Sequence, residues 1–148
     1  MIESTFYNKI IDVLPIVCVD GFIVEDSKIL LLKRKNYPAV DEWWVPGGRV
    51  LKNEILKDAI LRKIKEETQL SINIVNQIGV SETIFDKKHT INICYLLEIS
   101  DSSGQVNIDS DHSEYKWFPI ENLPKDLNTE LVSIVEVIKK NIKNGRSN

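Results

Sequence analysis

Residues Trp43 to Leu70, WWVPGGRVLKNEILKDAILRKIKEETQL, decide how the chain is read. Pro46-Gly47-Gly48 signals a tight turn, and glycine there lets backbone come close to a ligand. Beyond it, Leu56, Ala59, Ile60 and Ile64 recur at helical spacing, which predicts an amphipathic helix with that face inward. Asn53 is the expected N-cap, and Glu54 and Asp58 place negative charge in the first turn. Helix positions three and four apart are neighbours, so Lys63, Glu66 and Glu67 fall together on an adjoining polar face. Carboxylates beside a glycine turn suit a divalent cation and a substrate with linked phosphates.

On the N-terminal side, residues 1–13 read as a lead-in with some helical character, ended by Pro15. Ile16 to Glu25 and Ile29 to Lys33 read as a hairpin turning at Asp26-Ser27. Their apolar residues are nearly continuous, which fits a sheet covered on both faces. On the C-terminal side, Ile72 to Val80, Ile91 to Ile99 and Tyr115 to Phe118 read as strands. Leu131, Ile134, Val135, Ile138 and Ile142 predict a last amphipathic helix, with residues 144–148 expected to fray. Strands, helix, strands and helix predict an α/β chain with a mixed sheet between helical layers.

A chain of 148 residues suits one domain, and we read 1–148 as such. A net charge of -3 speaks against a large nucleic-acid footprint, so phosphate recognition must come from a few placed cations. Arg34 and Arg49 are the candidates, because guanidinium matches phosphate oxygens two at a time. Cys18 and Cys94 lie far apart in apolar runs, which predicts buried thiols and a cytoplasmic setting. The first residues lack a signal-peptide pattern, and no run approaches the ~20 apolar residues of a membrane span. His112, in DSDHSEYKW (109–117), could serve as a general base or could be purely structural. His89 reads as a surface residue, and Trp43, Trp44 and Trp117 as core.

The opening stretch resembles the Nudix box, G-x5-E-x7-R-E-U-x-E-E-x-G-U, where U is a bulky aliphatic. Gly48, Glu54, Arg62, Ile64, Glu66, Glu67 and Leu70 fall on its fixed positions, while Lys63 and Gln69 replace a glutamate and a glycine. The resemblance implies an α/β/α sandwich and a hydrolase that uses Mg²⁺, with Mn²⁺ as substitute. It implies metal ligation by Glu67, by Glu66 (or water activation there), and by a backbone carbonyl at Gly47. Arg62 would fix the catalytic glutamate, with Glu54 in support. Lys63 removes one carboxylate and can bridge to Glu66 or Glu67, so a single bound metal is expected.

Further runs sharpen the resemblance. Pro15-Ile16-Val17-x-x-Asp20, Phe22 to Glu25, Lys33-Arg34-x-Asn36-x-Pro38-Ala39 and Trp43 to Val50 are similar to the GDP-mannose mannosyl hydrolase branch. That branch cleaves the sugar C1–O bond of a nucleotide-sugar. The match puts Asp20 with the substrate, Asp111 at the metal and His112 as base. This chain departs from the branch by keeping Glu66, by a short Asp86 to Thr90 loop, and by Asp111 in place of glutamine. Glu66 leaves open an attack on phosphorus of another nucleoside diphosphate derivative. The altered box leaves open a non-catalytic nucleotide sensor. The small molecule is the expected partner, with no nucleic acid or membrane, and a homodimer stays open.

Overall fold

The computed structural model describes residues 2–146. Ten elements follow in order: α1 (Ser4–Val13), β1 (Ile16–Glu25), β2 (Lys28–Arg34), β3 (Trp43–Trp44), β4 (Gly47–Arg49), α2 (Leu56–Thr68), β5 (Ile72–Phe85), β6 (Lys88–Ile99), β7 (His112–Pro119) and α3 (Thr129–Arg146). The expected mixed sheet between helices is present, with strand order β3-β2-β1-β6-β5. β1 runs parallel to β6 from Ile16 to Ile23 and turns into β2 at Asp26-Ser27, both at positive φ. Paired positive φ values are what a two-residue hairpin requires. β4 pairs antiparallel with β1, and β7 pairs antiparallel with β2.

The continuous apolar runs serve two cores. Phe22, Ile29, Leu31 and Cys94 face α3, where they meet Leu131, Ile134, Val135 and Ile138. Val19, Ile23, Leu30 and Leu32 face α2 and pack on Ala59, Ile60 and Ile64. Neighbours in one strand thus point to opposite sides, as the pleat demands. Both cysteines are buried, and burial pushes the Cys18 and Cys94 thiols up to about 11 and about 12. No described helix is long and apolar enough to cross a membrane.

Several expectations are corrected. Ile55, not Asn53, is the residue before the helix, and Asn53 sits in the left-handed region at φ 67. Glu54 therefore precedes α2, and Asp58 alone supplies acid to its first turn. The strands are longer than their apolar cores: β5 continues to Phe85 and β6 begins at Lys88, because ladder bonds carry polar residues as readily as apolar ones. Likewise β7 begins at His112, ahead of the Tyr115 expected. The helix α3 runs through Arg146, while Ser147 and Asn148 lie outside the described residues.

Candidate active site

The glycine turn is placed by β1. Gly47 pairs with Asp20 and Gly48 with Val19. A side chain at Gly47 would run into the Val19 carbonyl, and one at Gly48 would meet Lys63 Cε at 2.5 Å. Gly48 also holds φ 158, so both positions need glycine. The Gly47 N–H donates to Glu67 Oε1 at 2.7 Å, tying the turn to the last turn of α2.

The two adjacent glutamates separate. One residue along a helix is a rotation of about 100°, and here it decides burial. Glu67 is 6% exposed, so the grouping of Glu67 with Glu66 on one polar face is corrected. Glu66 faces outward and accepts from Arg62 at 3.1 Å and Lys63 at 3.2 Å. Burial works against its charge, but those two cations outweigh it and hold the Glu66 carboxyl below its usual range. Arg62 also donates to both oxygens of Glu54, at 2.6 and 2.9 Å, and to the Arg49 carbonyl at 3.0 Å. The Arg62 hydrogen bond pulls the Glu54 carboxyl down to about 2. Arg62 thus ties Glu54, Glu66 and the Arg49 carbonyl together.

Facing Glu67 is His112. Its Nε2 stands 3.6 Å from Glu67 Oε2, and its Nδ1 is 2.7 Å from Asp109 Oδ1. The Asp109 loop is pinned to the end of α2 by Asn107 N–H to the Thr68 carbonyl and Asp109 N–H to the Glu67 carbonyl. A register shift between Lys33 and Arg34 then sets Arg34 opposite His112. Such a bulge re-aims side chains near a site. Gln69, where the box has glycine, adopts φ 62 and caps α2, so the left-handed cap survives the substitution. It costs roughly 1 kcal/mol relative to glycine.

These elements enclose a cavity of about 220 Å³. Asp20, Arg34, Gly47, Glu67, Asp111 and His112 all line it, with Lys63 and Lys88. Glu66, Arg62 and Arg49 do not. The Arg49 guanidinium lies 4.9 Å from the Tyr7 ring, so it is spent on α1 and not on the cavity. Asp111 accepts from Asn36 at 2.9 Å, whereas Asp109, passed over in the sequence, gathers with Glu67 and His112. Its position three residues before His112 was the available signal. Lys88 and Asn92 were also missed, because a turn lysine and a strand asparagine carry no signal until β6 is placed beside β1.

The buried carboxylates fit a divalent cation. Burial pushes Glu67 up to about 8 and Asp20 up to about 7. Among the described residues, Asp20 Oδ2 has no hydrogen-bond partner. Donor atoms of Glu67, Asp109 and His112 lie within 4.8 Å of one another. Buried negative charge without enough compensation is what a bound cation relieves.

A family model for the NUDIX domain matches residues 15–137. The chain belongs to the Nudix hydrolase family. It is 39% identical over 113 residues to the ADP-ribose pyrophosphatase of Methanocaldococcus jannaschii, covering 75% of this chain and 66% of that protein, just under two thirds. It is 34% identical over 127 residues to the low-salt glycan biosynthesis protein Agl8 of Haloferax volcanii, covering 79% of this chain and 80% of that one. The solved MutT NUDIX hydrolase of Burkholderia pseudomallei superposes with a TM-score of 0.76 at 29% identity, over 84% of this chain and 98% of that one.

Proposed function

We propose that this protein hydrolyses a nucleoside diphosphate joined to a sugar, with a divalent cation at Glu67. The observation that carries the reading is buried Glu67 and His112 on the wall of a cavity that also holds Arg34, Lys63 and Lys88, with half-buried Asp109 behind the His112 ring. A bound Mg²⁺ or Mn²⁺ would supply Lewis-acid polarisation and neutralise phosphate charge. Glu67 would hold it, close enough to share it with Asp109. The three cations would take the remaining phosphate oxygens. Asp109 accepts the Nδ1 proton of His112, which orients the ring and leaves Nε2 with a lone pair for a water proton.

A nucleotide-sugar such as GDP-mannose, attacked at sugar C1 with His112 as base, is the first reading. Burial of His112 and the outward turn of Glu66 support it. Likeness to a glycan biosynthesis protein favours the same substrate class. Attack on phosphorus is the second reading, favoured by the 39% identity to an ADP-ribose pyrophosphatase. GDP-mannose and ADP-ribose, turned over in ¹⁸O water and read by mass spectrometry, separate the two. Label in the sugar supports C1 attack, and label in phosphate overturns it. Binding without turnover of either compound would leave a ligand-sensing domain instead.

A further inference from the structure

The central cavity is smaller than the ~300–1,000 Å³ usual for small-molecule sites. A second groove, of about 550 Å³, adjoins it and shares Pro38 and Lys88 with it. Together the two volumes fall within the usual range. The helix α1 lends Tyr7, Asn8 and Asp12 to this groove, and Tyr37 lines it from the loop before β3. Tyr37 is 58% exposed, so its ring is open to a ligand.

The helix α1 itself needs an explanation. It buries none of its residues, so core packing does not account for its position. Its half-buried residues are Tyr7, Ile10 and Ile11, and the Tyr7 ring is flanked by Arg49 at 4.9 Å and Lys88 at 5.8 Å. Cation–ring contacts of that kind are worth ~0.5–1 kcal/mol at exposed sites. Lys88 therefore touches both compartments: it lines the phosphate-sized cavity and sits beside the aromatic wall of the groove.

We propose that the groove receives the base of the nucleoside diphosphate whose phosphates occupy the central cavity. The inference rests on the function proposed above. Tyr37 offers a stacking face. The Asp12 carboxylate can only accept hydrogen bonds and the Asn8 amide can donate and accept, which suits the edge of a base bearing N–H groups. Lys88, at the shared wall, takes the phosphate nearest the nucleoside.

Calorimetric titration of the full chain with Mg²⁺ and GDP, ADP or inorganic pyrophosphate tests this. GDP and ADP are expected to bind tighter than pyrophosphate. Tyr37→Ala should weaken both nucleotides by roughly ten-fold, the usual worth of one stacked base, and leave pyrophosphate within about two-fold. Tyr37→Trp should restore nucleotide binding. Asp12→Ala, on the exposed face of α1, should weaken nucleotide alone and keeps the test alive if Tyr37→Ala unfolds. Equal losses for nucleotide and pyrophosphate, or nucleotides binding no tighter than pyrophosphate, overturn the groove but spare the proposed function. Failure of all three to bind overturns that function, and the groove with it.

Discussion

Glu66 and Glu67 are neighbours in the chain but belong to two regions with opposite physics. The outer region is the cluster of Glu54, Arg62, Glu66 and Lys63, where each carboxylate meets a cation and is held in its charged form. The inner region is Glu67, Asp20, His112 and Asp109, where burial raises the two innermost carboxyls and, among the described residues, no lysine or arginine forms an ion pair with any of the carboxylates. Satisfied charges at a surface give structure. Buried charges left short of compensation are costly to fold, and they persist where a ligand supplies the balance. Under the proposed function, the outer region supports the fold of the site and the inner one does the chemistry. Lys63 stands between them, bonded to Glu66 while lining the cavity.

The sharpest way to break that comparison is Glu67→Gln. It should lower kcat by roughly 10³-fold or more, since removing the cation's holder forfeits several kcal/mol of charge stabilisation. Steady-state kinetics at limiting Mg²⁺, with circular dichroism to establish folding, is the measurement. Activity near wild type would move the metal elsewhere.

Next in size is a matched pair, His112→Gln and Glu66→Gln, compared by kcat on one nucleotide-sugar. His112→Gln should cost ~10²–10⁴-fold, the range of a general base. Glu66→Gln should cost only a few-fold, because its carboxylate is turned out and engaged by Arg62 and Lys63. The reverse order would hand the base role to Glu66 and favour attack on phosphorus.

A smaller effect is expected at the boundary. Lys63→Glu exchanges a cavity cation for a carboxylate beside Glu66 and Glu67. Mn²⁺ affinity or stoichiometry, followed by calorimetry without substrate, should rise. The exposed Lys63–Glu66 bridge that is lost contributes at most about 0.5 kcal/mol, so folding should be little changed. An unchanged isotherm would place Lys63 outside the field of the metal.

The smallest expected effect concerns stability. Folding raises Glu67 to about 8 and Asp20 to about 7 from ordinary values of 4.5 and 3.8. A group raised on folding contributes its stability below the unfolded value and loses it as pH rises through the folded one. The protein kept in EDTA should therefore lose stability from about pH 4 to about pH 8, as the folded form gives up protons the unfolded form has already shed. Urea midpoints across that range measure it. Saturating Mn²⁺ should flatten or reverse the slope, since a cation takes the place of the protons.

The sequence by itself determined the family, the two-faced strands and the helix that carries the acidic pair. Those follow from local rules: apolar spacing at Ala59, Ile60 and Ile64, a glycine turn that tolerates no side chain, and positive φ at Asp26-Ser27. Spacing along one helix also brought Arg62, Lys63 and Glu66 together, because contacts three and four residues apart are fixed by helix geometry. Spacing could not say which glutamate turns inward, since that depends on what packs above the helix. The Glu67 environment is made by Gly47, 20 residues earlier, and His112, 45 residues later, and both arrive through strand pairing. Asp109, Lys88 and the diversion of Arg49 to Tyr7 likewise arise only when distant segments meet. Local periodicity fixes which residues share a face. Burial, charge compensation and the shape of a cavity belong to long-range contacts, and those the tertiary structure alone decided.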